Sequence, residues 1–275
     1  MLQKARKFLK ALRLVAGRPY LLNHVINSDE VWEQYTKKNY GMTQGLPVVE
    51  LDEIFPGFEA TIPLVSFLDG SSMPTDLALL MKLAGESDHC SYFEIGTWRG
   101  ESVVNVAEVA AECFTLNLSD QEMRKLGLPE AYIAQQGFFS KGKKNITHLR
   151  GNSFSFDFAA LNRKFDLIFI DGDHRYEAVK NDTQKVFKHL VHKNSVVVWH
   201  DYAKNPETIR HEVLAGILDG LPGHLHGNLY HVANTLSAVH INRPLNSSSL
   251  VKHASPANIF TVKINCYKSS YVEMV

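Results

Sequence analysis

No apolar run in this 275-residue chain approaches the roughly 20 residues needed to cross a bilayer. Cysteine is scarce. Cys90, Cys113 and Cys266 stand far apart and are odd in number, which excludes a disulfide framework and a metal-ligand spacing. A reducing cytoplasm is therefore the expected home. Net charge is missing too: 29 Lys and Arg balance 29 Asp and Glu, so nothing draws the whole chain to nucleic acid. No internal repeat and no low-complexity segment breaks the sequence. What is there is globular: 45% apolar and 21% charged residues, and length for one large α/β domain with an appendage.

A local absence opens the chain: no acid occurs before Asp29. Lys4, Arg6, Lys7, Lys10, Arg13 and Arg18 interleave there with Phe8, Leu9, Leu12, Leu14 and Val15. The pattern predicts a basic amphipathic helix ended near Gly17 and Pro19, with charge too frequent for a signal peptide. Residues 1–18 suit either an anionic membrane surface or packing on the chain itself or a second subunit. A second helix is expected over residues 28–40, capped by Ser28 or Asp29. Residues 41–72, punctuated by Gly and Pro, read as irregular, a lid or one wall of a substrate pocket. Pro74-Thr75-Asp76 opens a third helix running to about Ala84. The expected organisation is an appendage over 1–72, the main domain over 73–243, and a linker and strand over 244–275.

The main domain announces itself at Tyr92-Phe93-Glu94-Ile95-Gly96-Thr97-Trp98-Arg99-Gly100-Glu101-Ser102. A short β-favouring run ends on an acid, then a glycine-flanked turn leads into a helix with Val103, Val106, Ala107 and Ala110 on one face. In open α/β sheets such turns meet ligands. The turn lacks what a pyrophosphate or P-loop site needs: Trp98 stands where a dinucleotide fingerprint has its second glycine, and Gly100-Glu101-Ser102 replaces G-K-[ST]. A helix N-terminus ordinarily attracts anions. Glu94 and Glu101 reverse that preference toward a ligand carrying positive charge and hydroxyls.

The spacing E-x-G-x-x-x-G resembles the first motif of class I S-adenosylmethionine-dependent methyltransferases. That cofactor is a cationic sulfonium, in agreement with the charge argument. The resemblance implies that Glu94, Gly96, Thr97, Gly100 and Ser102 contact it. In the family the next strand, here Cys113 to Leu118, ends on an acid that grips the ribose hydroxyls. Asn117 takes that place, with Asp120 three residues on. After the strand Ile146 to Arg150, the resemblance puts Asn152 and Ser153 near adenine, although Asn152 would equally cap a following helix. The basic turn Lys141-Gly142-Lys143-Lys144 reads as solvated, or as a contact for an acidic substrate.

A second signal is Phe165-Asp166-Leu167-Ile168-Phe169-Ile170-Asp171-Gly172-Asp173-His174-Arg175-Tyr176, an apolar strand ending abruptly on polar residues before a helix over Tyr176 to Leu190. The strand Ser195 to Trp199 follows and ends on His200-Asp201-Tyr202. Adjacent strands lie about 5 Å apart, so Asp171 and Asp201 can share a cation. The run D-G-D-H-x-Y-x-x-V-x-x-D resembles a methyltransferase family near macrolide-sugar O-methyltransferases and cephalosporin-biosynthesis proteins. Its metal-dependent relatives hold magnesium with acids after these two strands, which implies a site of Asp171, His200 and Asp201 for Mg or Mn. Imidazole suits the softer metals better than magnesium. Alternatively His174 or His200 is a general base working with Asp171, or Asp173, Asp171 and Asp201 merely cap a helix and order loops.

Two last sheet strands are expected over Leu225 to Val232 and Leu236 to Asn242, with His224, His226 and His231 solvated, and a further strand over Asn258 to Tyr267. The whole predicts a doubly wound, mostly parallel, seven-stranded sheet of the Rossmann-like methyltransferase type. The expected enzyme O-methylates a small molecule or sugar, binds no nucleic acid and forms a homo-oligomer. Its rivals are an inactive binding protein of the same fold and a membrane-peripheral enzyme acting on a lipid-linked glycan.

Overall fold

A computed structural model describes residues 2–22 and 29–268. Its contacts fall into two units, Met1–Thr43 and Gln44–Val275. In the first, α1 spans Leu2–Gly17 and stops at the predicted glycine; a single 3-10 turn, Pro19–Leu22, follows. Helix α2 spans Asp29–Tyr40, with Asp29 and Glu30 in its first turn and Lys37 and Lys38 in its last, each complementing the helix dipole. Of its two candidate caps, Ser28 lies outside the described residues.

The second unit begins earlier than the sequence suggested, because residues 44–72 supply core. Strand β1 is Val48–Val49 and α3 is Leu51–Ile54. Val49, Leu51, Ile54 and Phe55 are buried against Leu79, Leu80 and Leu83 of α4, Pro74–Ala84. Then come β2 (Ser91–Ile95), α5 (Glu101–Val106), β3 (Glu112–Asn117), α6 (Asp120–Lys125), α7 (Glu130–Ala134), β4 (Ile146–Arg150) and β5 (Phe165–Ile170). Helix α8 (Tyr176–His189) leads to β6 (Val191–Trp199) and a small ribbon of β7 (Ala203–Asn205) with β8 (Thr208–Ile209). Helix α9 (His211–Gly220), a 3-10 turn over Gly223–Asn228, β9 (Leu229–Val232) and β10 (Ala238–His240) complete the unit.

One sheet of eight strands runs β1-β9-β10-β6-β5-β2-β3-β4, and only β10 is antiparallel to its neighbours. The class is as predicted. The extra strand is β1, two residues inside a stretch too rich in Gly and Pro to read as sheet. It pairs with β9 and is bridged by Ser248. After β6 the chain makes the β7–β8 ribbon before helix α9 begins at His211. The strand expected at Asn258 to Tyr267 does not form. That segment alternates correctly, but Ile259, Val262, Ile264 and Tyr267 stay exposed and no partner strand fixes it.

His231 corrects another expectation. It is fully buried on β9, its ring 5.1 Å from that of Tyr202, and burial pushes its pKa down to about 4, so the imidazole is neutral. His226 is tied to the carbonyls of Leu218 and Leu221 at 3.1 Å.

Helices α8 and α9 pack tightly because α9 presents Gly216 and Gly220 to its neighbour. A methyl group at Gly216 would lie 2.8 Å from Cβ of Val179 and 2.9 Å from the Tyr176 carbonyl oxygen. Gly216→Val must therefore part the helices, at a cost of about 2 kcal/mol from overpacking. Urea unfolding should show a lowered midpoint with an unchanged slope. An unchanged midpoint would contradict the packing described.

Candidate active site

The chain leaves β2, winds outward through β3 and β4, then returns to the other side of β2 as β5 and continues to β6. The winding reverses between β2 and β5, and at such a switch point the loops diverge and open a crevice at the carboxyl ends of the strands. Gly96 makes the crevice possible. Its φ is +90°, and a side chain there would collide with the backbone carbonyl of Asp171. Asp171 N donates to Ile95 O at 2.8 Å, so the two strand ends are locked side by side. Gly100, φ +80°, is as constrained: a Cβ would meet the Ser140 hydroxyl at 2.5 Å.

Two loops close on the turn. Asn105 takes the N–H of Leu64 and gives its amide to the Leu64 carbonyl, while Arg99 donates to the Asp69 carbonyl at 2.6 Å. Gly70 lies directly under the Trp98 ring. From the other side Tyr132 stacks on Trp98 with centroids 5.4 Å apart, and Phe139 N donates to Arg99 O. Trp98 thus occupies the second-glycine position as a clamp for both loops, in a left-handed conformation with φ +36°.

Within this closed turn several buried polar atoms find no hydrogen-bond partner: Glu94 Oε1, Thr97 Oγ1 and both carboxylate oxygens of Glu101, whose Oε1 has only a charge contact with Arg99 Nε at 3.8 Å. A native structure rarely leaves so many together, and such a group points to a ligand. Glu94 is fully buried. Its Oε2 accepts from Tyr92 Oη at 2.8 Å and from Ser102 Oγ at 2.6 Å. Tyr92 and Glu94 share one face because strand side chains alternate. Burial raises the Glu94 pKa to about 8 against the two hydrogen bonds that lower it, so the carboxyl holds a proton over much of the neutral range.

Across the crevice His200 sits at the end of β6 with three carboxylates around it. Its Nδ1 lies 3.0 Å from Asp171 Oδ1 and 3.7 Å from Asp201 Oδ2, and its Nε2 lies 3.6 Å from Asp76 Oδ2. These are charge contacts: neither ring nitrogen reaches hydrogen-bond alignment. Burial would lower the imidazole pKa, but Asp171 first, then Asp201 and Asp76, hold it well above its usual range. His200 is therefore an imidazolium, not the neutral base that one sequence alternative required. Burial raises Asp171 against the opposing pull of His200; its side chain stays 28% exposed, which tempers the rise. Asp201 is lowered despite burial, because His200, Arg210 and His174 favour its charge. His174 is the exposed imidazole of the cluster, its Nδ1 3.6 Å from Asp201 Oδ2.

The fold thus brings Glu94, Gly96, Thr97, Gly100 and Ser102 to one turn and Asp171, His174, His200 and Asp201 beside it. Asn117 ends β3 as expected, its amide donating to the buried Gln136. Asn152 makes a turn: its Oδ1 accepts from Phe154 N at 2.9 Å, and no regular helix follows immediately. The Ser153 hydroxyl is bonded to the buried Asp182. Asp120 is exposed at the start of α6. Asp173 pairs with Arg175 in the loop before α8. Asp76 was missed in its second role. It reads as a helix-opening acid, and it does accept from Met73 N, but it also holds Leu236 N and Ser237 Oγ and faces His200. No sequence signal joins positions 76 and 200.

A pH dependence follows from Glu94. Its folded pKa is raised above the unfolded value, so between about pH 4.5 and 8 the folded state binds the extra proton and stability falls as pH rises, by about 1.4 kcal/mol per unit for this one group. Glu94→Gln should flatten the fall measured by urea unfolding of the ligand-free protein at pH 5.5 and 7.5. An unchanged pH slope would show that Glu94 is not proton-bound.

Residues 93–202 match a family model described as a methyltransferase domain. An uncharacterized protein R132 of Acanthamoeba polyphaga mimivirus is 30% identical over 132 residues, 42% of this chain and 53% of that protein, so the chain spans about half the length of this curated relative. Among solved structures, CalS11, a TDP-rhamnose 3'-O-methyltransferase of calicheamicin biosynthesis, aligns with 14% identity and a TM-score of 0.42 over 61% of this chain and 77% of its own. CalS10, an amino pentose methyltransferase from Micromonospora echinaspora, aligns with 16% identity and a TM-score of 0.36 over 49% of this chain and 52% of its own. These two likenesses are too distant to carry an argument. What stands is the match of residues 93–202 to a methyltransferase domain, within a sheet whose mostly parallel, doubly wound strand order is the one its motifs predict.

Proposed function

We propose that the protein binds S-adenosylmethionine at the β2 turn and methylates a hydroxyl of a small molecule or sugar. The observation that carries this reading is the set of buried oxygens without a hydrogen bond at the switch point, above all Glu94 Oε1 and Thr97 Oγ1, with the Glu101 carboxylate beside them. Four oxygens, three of them on acids, fit a cation bearing an amino group better than a phosphate. When bound, the cofactor supplies an electrophilic methyl on a sulfonium. Glu94 gives up its proton as a cationic group takes its Oε1. Gly96 and Gly100 let backbone approach, and Asn117, its amide already given to Gln136, offers Oδ1 to the ribose hydroxyls.

The residues at the ends of β5 and β6 serve the acceptor. The His200 imidazolium holds Asp171 and Asp201 in place, and solvent-accessible His174 removes the proton of the attacking hydroxyl, turned toward the cleft by Asp201. The strap over residues 58–73 and the loop over 129–141 form the walls that hold acceptor and methyl in near-attack geometry. A second reading has its own observation: donor atoms of Asp171, His200 and Asp201 lie within 4.8 Å of one another, close enough for one ion. The mixed oxygen and nitrogen set fits manganese better than magnesium. The ion and the His200 proton compete for one ring, so metal binding would release protons.

Titration calorimetry with S-adenosylmethionine should show one site, proton release in buffers of different ionisation enthalpy, and about tenfold or more weaker binding for Glu94→Gln. No heat at millimolar cofactor would overturn the enzyme reading; binding without methylation of any sugar or catechol in a mass-spectrometric screen would favour an inactive binding protein. Manganese titration of chelator-treated protein decides the metal. Proton-releasing binding lost in Asp171→Ala supports the ion, and no binding leaves the imidazolium as the resident charge.

A further inference from the structure

We propose that α1 is a membrane-surface helix that lies flat on anionic lipid. The inference concerns the first unit alone and does not rest on the reading of the active site. Every described side chain of α1 except Val15 is exposed, including Phe8, Leu9 and Leu12 at 51–64% of their surface. At about 100° per residue, Val15, Phe8, Leu12 and Leu9 fall on one arc about 120° wide. Arg13, Arg6, Lys10, Lys7 and Lys4 spread over the remaining circumference, with Gln3, Ala11, Leu14 and Gly17 among them. Over 16 residues the helix is about 24 Å long. It is far too charged to span a bilayer, and no helix among the described residues is long and apolar enough to do so.

The charge selects the partner. Five cations and no acid on one helix would repel a second copy packed along the same face, so the arc is not built for self-association. A nucleic acid would use the cations but leave Phe8, Leu9 and Leu12 in water. An anionic lipid surface uses both: headgroups meet Lys and Arg, and the aromatic and aliphatic arc sinks to the acyl boundary. The long Lys and Arg stems also reach the headgroups from the edges of the arc.

The test is sedimentation of the full chain with phosphatidylcholine vesicles, with and without phosphatidylserine. Binding is expected only with phosphatidylserine, and it should weaken as salt rises. The double variant Leu9→Glu with Leu12→Glu should lose it while keeping the wild-type melting temperature. Lys7→Gln and Lys10→Gln should each weaken partition about fivefold. The proposal is overturned if the chain ignores phosphatidylserine vesicles, or if the double glutamate variant still sediments with them. It is equally overturned if the helix drives dimerisation without lipid, or if duplex DNA rather than lipid is what the cations retain.

Discussion

One buried imidazolium among three carboxylates holds this active-site candidate in shape. Three acids so near one another would repel strongly in a protein interior, and His200 turns that repulsion into attraction. The cluster ties the start of α4, through Asp76, to the ends of β5 and β6. Asp76 extends the tie through Leu236 and Ser237 to the loop before β10. Removing the imidazole would leave uncompensated charge beneath the crevice, and the strand ends that define the crevice would separate. Here a residue supplied by the chain already carries positive charge at that place.

The opposite wall works by a different principle. Around Glu94 a carboxyl is buried with two hydroxyl donors and no cation, which suits the protonated state until a positive ligand arrives. One wall is thus compensated within the fold and the other waits for its compensation from outside. In the function proposed above, the asymmetry would separate the two tasks of methyl transfer: recognition of a cationic cofactor on the β2 side, and handling of an acceptor proton on the β5 and β6 side.

The parts legible in the sequence were those governed by local pattern. The strands at Ser91–Ile95, Ile146–Arg150 and Phe165–Ile170 have the right period and clear turn punctuation, and they form as read. Gly96 was legible as a turn glycine, whereas its close approach to the Asp171 carbonyl was not. What escaped depends on distant chain. β1 is only two residues among Gly and Pro and exists because β9 and Ser248 pair with it. His231 looked like an edge-strand imidazole and became core when β1 and Tyr202 covered it. The alternation at Asn258 to Tyr267 was genuine, but a period alone does not make a strand without an edge to join. Asp76 shows the limit most plainly, since its partners lie 124 and 160 or more residues away in sequence.

The central claim is that a cationic cofactor rests against the acid-flanked turn, beside the carboxylates closing β5 and β6. A crystal structure with S-adenosylhomocysteine tests it most directly. The account predicts the amino group of the ligand within hydrogen-bond reach of the Glu94 and Thr97 oxygens and its sulfur turned toward Asp171. Density for the ligand anywhere else on the sheet, or Glu94 Oε1 still without a partner in the complex, would contradict it.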